Sequence, residues 1–281
     1  MTEYENREIP EGINISPTHP LKEFAILVAG ISTLIIIAVI AMSLLAGQLA
    51  RYIPFAQEKN LALKFGEHWP KPTQNAVEQK RAIYLQALAD RIALAMDLPP
   101  EMNITVHYSS AETVNAMATL GGNIILFQGL IDTLPSENAL AMVVAHEIAH
   151  VKNRHPIVAI GRGFAAALTL SSLSGMGDGL VQQWVSGLGM LPVLSFNRGQ
   201  EEEADADALT AIFKTYGHVG DAAAFFEYIA REKQVLGSPA LFNTHPGHEA
   251  RIKRINDFAK SHVLNEGSAT TPLPDYLRHK R

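Results

Sequence analysis

The chain of 281 residues contains no cysteine. That absence excludes disulfide frameworks, thiolate metal sites and cysteine nucleophiles together, and leaves histidine and carboxylate as the available metal ligands. It suits an envelope compartment or the cytoplasm and does not choose between them. An excess of positive charge is missing too: 23 Lys and Arg stand against 28 Asp and Glu, for a formal net charge of -5 and a pI near 6.1. No basic surface argues for nucleic acid, and that class of partner is set aside. An internal repeat of the helical-adaptor kind is also absent.

What the chain does have is one long apolar run. Phe24 to Ala46 carries no charge and is mostly Ile, Leu, Val and Ala. At about 1.5 Å per residue it can cross a hydrocarbon core of about 30 Å. Residues 1–22, with Pro10, Pro17 and Pro20, read as a flexible N-terminal tail, and residues 23–50 as a transmembrane anchor. A cleaved signal peptide fits less well, because the apolar core is too long and the segment before it is acidic. Arg7 and Lys22 precede the span and Arg51, Lys59 and Lys64 follow it, a count that leans toward a cytoplasmic C-terminal side. Residues 51–73, with Pro54, Pro70 and Pro72, form a connector. Residues 74–263 form one domain, and 264–281, with Pro272 and Pro274, a flexible C-terminal tail.

Within the domain, Val77, Ile83, Leu85, Leu88, Ile92 and Met96 fall at helical spacing and predict an amphipathic helix over 74–96. Short strands are expected at Ile104–Tyr108, Val114–Leu120 and Asn123–Phe127, the last two joined at Gly121-Gly122 as a hairpin. Ser136 is a candidate N-cap for the next helix, with Glu137 suited to its first turn. Ile157–Leu194 is apolar and glycine-rich apart from Arg162 and Asp178. It reads as a pair of buried or membrane-touching helices, with a spanning hairpin as the alternative. The fold class is α+β, mainly α-helical with a small sheet, preceded by one transmembrane helix.

The chemistry centres on His146-Glu147-Ile148-Ala149-His150. Histidines four apart on a helix share a face and can reach one metal ion, and the glutamate beside them can take a proton from water and pass it to a leaving amine. His155, about 140° round the helix from His150, reads as a structural histidine. A third ligand is sought among Glu201, Glu202 and Glu203, which spacing alone does not separate. Glu201 and Asp205 are four apart, so one could bind metal while the other orients a ligand histidine. For a peptide substrate, an edge strand at Asn115 and Ala116 could hold an extended chain by main-chain hydrogen bonds.

His146 to His150, then Arg198-x-x-Glu201-x-x-Ala204-Asp205, then Thr244-His245-Pro246 with Arg251-Ile252, resemble the membrane-associated gluzincins of metallopeptidase family 48. That family includes HtpX, BepA and the CAAX prenyl proteases, and the resemblance runs from about Gln79 to about Phe258. It implies a zincin-type domain with one Zn2+ held by His146, His150 and Glu201, with Glu147 as general base and acid and Asp205 behind a ligand. It also places His245 near the metal, as an oxyanion donor or a latch on the open position, and Arg251 as a supporting catalytic residue. A single anchor is most similar to the BepA-like branch and implies the bacterial inner membrane with a periplasmic domain, against the charge count. The expected activity is hydrolysis of misfolded or misassembled envelope proteins, with protein or peptide substrates and the lipid bilayer as partners. The alternative is a membrane-tethered chaperone or binding module whose zinc is latent or structural.

Overall fold

The structure, a computed structural model, describes residues 19–64, 66, 69–71, 73–174, 195–236, 248–262 and 269–279. The first element is α1 (Pro20–Ala50), which opens on a proline under His19, whose side chain accepts from the Leu21 N–H at 3.3 Å. Proline suits a first turn, where its missing N–H has no partner to lose. Leu34, Ile36 and Leu45 are each more than half exposed, so α1 carries its apolar surface uncovered. The expected connector contains a second helix, α2 (Phe55–Leu63), which forms because Phe55, Glu58 and Ala62 all become buried.

α3 (Ala76–Ala95) starts at Asn75, whose side chain accepts from the Val77 and Glu78 N–H groups. Its buried face is Arg81, Leu85, Leu88, Ala89 and Ile92. Val77 and Ile83, assigned to that face by apolarity, are 49% and 70% exposed. Arg81 takes the place they would have had because its guanidinium bonds Tyr108 Oη at 2.9 Å and the carbonyl of Tyr276 at 2.7 Å.

The sheet has three strands, β1 (Thr105–Ser109), β2 (Ala116–Ala118) and β3 (Asn123–Phe127), in the order β1-β3-β2. β2 pairs antiparallel to β3 with Ala116 opposite Leu126 and Ala118 opposite Ile124, while β1 runs parallel to β3. The hairpin is therefore as expected, although β2 is shorter and β1 lies one residue later. Its turn is a single 3-10 turn, Leu120–Gly122, with Gly121 and Gly122 at φ 69° and 81°. A side chain at 122 would also bring a Cβ within 2.2 Å of the Asn103 carbonyl oxygen. Glycine meets both conditions.

After α4 (Gln128–Thr133) comes α5 (Glu137–Lys152), capped by Ser136, whose Oγ accepts from Ala139 N at 3.2 Å. Every residue from Glu137 to Val151 is buried, so α5 is the central helix of the domain. Glu137 does more than suit the helix dipole: Tyr84 and Arg91 of α3 donate to it, as does Tyr216 Oη at 2.8 Å. α6 (His155–Ser174) follows a break at Arg154, where φ is 61°. α7 (Arg198–Tyr216) opens with a reciprocal cap between Asn197 and Gln200 and closes at Gly217 with φ 74°. Tyr216 lies in its last turn. α5 and α7 pack against each other, and both carry small residues without exposure, Ala141, Ala145 and Ala149 on one and Ala204 and Ala208 on the other. α8 (Ala224–Leu236) and α9 (His248–Ser261) complete the domain.

The expected C-terminal tail is not free over 269–279. Leu273 and Leu277 are buried, the Thr271 carbonyl accepts from Glu137 N at 2.8 Å, and Thr271 N donates to Asn138 Oδ1 at 2.8 Å. The strap supplies a partner that the first turn of α5 lacks within the helix. Its polar composition misleads because its anchors are backbone groups, with Gln128 and Arg81 donating to its carbonyls.

Candidate metal centre

α5 sets His146 and His150 one turn apart, with Nε2 atoms 3.0 Å apart and ring planes at 90°. α7 brings Glu201 opposite them: Oε2 lies 3.4 Å from His146 Nε2 and Oε1 lies 3.5 Å from His150 Nε2. Ligand atoms about 2.05 Å from a tetrahedral centre stand about 3.3 Å apart, so all three edges fit one small ion with nitrogen and carboxylate donors. Among the described residues this trio is the group so placed, and all three are buried.

The neighbouring groups fix the trio's orientation. Asp205 Oδ1 lies 3.1 Å from His146 Nδ1 and receives Arg251 at 2.7 Å, and Arg254 donates to Oδ2 at 3.1 Å. Burial alone would raise the Asp205 carboxyl, but His146, Arg251 and Arg254 outweigh it and hold it at about 2. For His146, burial and the Arg251 charge push down, yet Asp205 and Glu201 outweigh them and raise its pKa to about 9. Arg251 is 1% exposed, donates to Glu201 Oε2 at 2.7 Å and lies 4.1 Å over the Phe226 ring. It is enclosed by the acidic side of the site.

His155 is outside the trio, as its spacing suggested, but it touches the site: its Nδ1 is 2.8 Å from His150 Nδ1 and its Nε2 is 3.2 Å from Glu203 Oε2. The 140° separation holds only for one continuous helix. The break at Arg154 turns His155 back toward His150, whose other ring face stacks on Phe196 at 3.9 Å. The three glutamates that spacing left equivalent thus have separate partners: Glu201 the histidines, Glu202 Arg254, and Glu203 His155. Successive residues project about 100° apart on a helix, which sends each to a different neighbour.

Glu147 is 2% exposed and its Oε2 accepts from Ala118 N at 2.7 Å. Asn115 O and Thr119 N bond across to β3, so alternation turns the main chain of Ala116 and Ala118 to the outer edge. On that edge the Ala116 N–H donates to Asn115 Oδ1 at 2.9 Å, while the Asn115 carbonyl faces β3. Ala118 was missed, and only pairing register could have found it. Glu58 was missed as well: 2% exposed, it accepts from Gly121 N at 2.8 Å and pairs with Arg154 at 2.9 Å, tying α2 to the hairpin and to the end of α5. His245 lies outside the described residues, as does 175–194 of the apolar segment.

Comparison with known proteins gives the same centre of gravity. The chain is 28% identical over 179 residues to mitochondrial metalloendopeptidase OMA1 of Schizosaccharomyces pombe, covering 63% of this chain and 52% of the relative. It is 27% identical over 191 residues to the Beta-barrel assembly-enhancing protease of Yersinia pestis, covering 59% and 36%, and 30% identical over 152 residues to metalloprotease LoiP of Escherichia coli, covering 52% and 59%. The chain thus spans from about a third to somewhat over half the length of these relatives. The family model for Peptidase family M48 matches residues 79–259, which takes in the sheet, the ligand trio, Asp205 and Arg251. By this match the chain belongs to peptidase family M48, the metallopeptidase family that its motifs resemble.

Proposed function

We propose that the chain is a zinc-dependent endopeptidase anchored by α1 that hydrolyses misfolded or misassembled envelope proteins, with its domain on the periplasmic side of a bacterial inner membrane. The observation that carries the catalytic reading is Glu147, buried beside a ligand trio of zinc-like spacing and held by the edge strand. A purely structural metal site has no use for an acid in that place. One zinc per chain would be held by His146, His150 and Glu201, and when bound it would supply a Lewis acid to polarise the scissile carbonyl and make water nucleophilic near neutral pH. Glu147 takes the proton of the attacking water and returns it to the departing amine. The outer edge at Ala116 and Ala118, whose N–H groups already serve Asn115 Oδ1 and Glu147 Oε2, offers its carbonyls to an extended substrate, so recognition favours unfolded segments over a particular sequence. Asp205 fixes the His146 ring, and Arg251 acts as a positioning residue that holds the Glu201 and Asp205 carboxylates together. Support for an envelope substrate comes from the kinship with a protease named for assisting β-barrel assembly.

The test compares the full chain and Glu147→Gln, each with zinc content measured, on casein. Both should hold one zinc, and the variant should cut about 100-fold to 10,000-fold more slowly. Equal cutting by a fully loaded Glu147→Gln would remove Glu147 from the mechanism.

A further inference from the structure

α6 starts at the metal centre and leaves it. Its first two turns are buried in the domain, but its main neighbour along its length is α1. The two run antiparallel: Arg154 donates to the Ile53 carbonyl at 2.6 Å, and a Cβ at Gly161 would meet the Ala50 Cβ at 3.0 Å. One residue further along α6, Arg162 lies against Gly47, about a turn before Ala50 on α1. From Gly47 back to Ile35 and from Arg162 on to Ser174 the two chains advance by the same number of residues, about 18 Å each. Over that length α1 is covered only on one face, at Ile35, Ala38, Val39, Ser43, Ala46 and Gly47, a single helical stripe.

The rest of α6 has the chemistry of the helix it accompanies. No charge occurs between Gly163 and Ser174, while Phe164, Leu168, Leu170 and Leu173 are 40–52% exposed. Thr169 and Ser172 donate their hydroxyls back to the carbonyls four residues earlier at 2.7 and 2.8 Å, as Thr33 does on α1 at 2.8 Å. Hydroxyls closed on their own helix are what hydrocarbon demands, since no water is there to receive them. Arg162 is the sole Lys or Arg of α6 and lies at the domain end of this stretch.

We propose that α6 from Gly163 to Ser174 lies in the lipid bilayer beside α1, with Arg162 at headgroup level. A helix packed along an anchor shares its depth, and the exposed leucines then face acyl chains. His155, which touches the ligand His150, is seven residues from Arg162, so the metal centre sits on the order of 10–15 Å above the bilayer surface. Resting on the peptidase reading, this assigns as substrates the segments that flank membrane-embedded parts of other proteins.

The cysteine-free chain allows single labels. Leu168→Cys and Leu173→Cys, with Ile37→Cys on α1 and Leu94→Cys on the water-facing side of α3 as references, would carry a nitroxide in phosphatidylcholine/phosphatidylglycerol vesicles. Collision with oxygen and with a water-soluble nickel chelate would then be compared. Positions 168 and 173 should resemble 37, favouring oxygen, and 94 should show the reverse. If 168 and 173 favour the nickel chelate, or are shielded from both and dipole-broadened by a second copy, the proposal falls. A second arm places one peptide sequence 5 or 30 residues from a transmembrane helix in the same vesicles. Faster cutting at the near position is expected, and equal rates would overturn the juxtamembrane assignment. If neither is cut by zinc-loaded protein, the peptidase reading fails while the labelling result still decides the depth of α6.

Discussion

Removing the Glu137 carboxylate should loosen the domain without touching the chemistry. Glu137 is 6% exposed and receives Tyr84, Arg91 and Tyr216, joining α3 and α7 to the first turn of α5. A hydrogen bond to a charged group contributes about 1.5–3 kcal/mol, so the two tyrosines together account for about 3–6 kcal/mol. Arg91 is about half exposed and adds at most about 1 kcal/mol. Glu137→Ala should therefore destabilise by about 3–7 kcal/mol, and Glu137→Gln, which keeps one acceptor, by about half of that. At about 2–4 °C per kcal/mol for a domain of this size, the alanine variant should melt roughly 6–28 °C lower. His146 is nine residues further along, about 13 Å, so zinc-loaded activity below the melting range should stay within about twofold. The pH dependence gives a second reading. Burial would raise the Glu137 carboxyl, but Tyr84, Tyr216 and Arg91 outweigh it and hold it below its ordinary 4.5. A depressed carboxyl stabilises above its unfolded value and loses that contribution as pH falls through its folded value. The stability gap between wild type and Glu137→Gln, measured by denaturant unfolding of chelator-treated protein, should be full at pH 7 and close below pH 4.5. Equal unfolding midpoints at pH 7, or a gap unchanged in acid, would refute this account of the hub.

Three further outcomes are expected. Asp205→Asn should leave the fold intact and weaken zinc binding about 10-fold to 100-fold in chelator competition, because the His146 ring loses its charged partner. Gly122→Ala should lower stability by more than about 1 kcal/mol, since it places a Cβ on the Asn103 carbonyl at a positive φ, and urea unfolding would show it. Metal binding at pH 7 should release a proton into weak buffer, because His146 rests at about 9 before the ion arrives. By the same sign, metal-free stability is full below the ordinary 6.5 of histidine and falls as pH rises through about 9, a decline that zinc should abolish.

The candidate ligands were legible because a four-residue helical spacing is a local fact: His146 and His150 share a face in any α-helix, and Glu201 came from a family pattern. The N-cap at Ser136 and the turn at Gly121-Gly122 were readable for the same reason. Pairings made across the chain were not. Arg81 displaced Val77 and Ile83 from the buried face of α3 because its partners are Tyr108 and the carbonyls of 276 and 278, far away in sequence. The strap at 269–279 is polar by composition and docks through its backbone, which composition does not record.

The sequence by itself determined the uncharged apolar run within α1, the helix that carries two candidate metal ligands and the acid beside them, since each follows from local periodicity and residue chemistry. Tertiary structure decided which glutamate meets the histidines, that Ala118 holds Glu147, and that His155 comes back to His150. Those depend on where a helix breaks, on strand register and on the crossing of α5 with α7, distances that close only when the whole chain is packed.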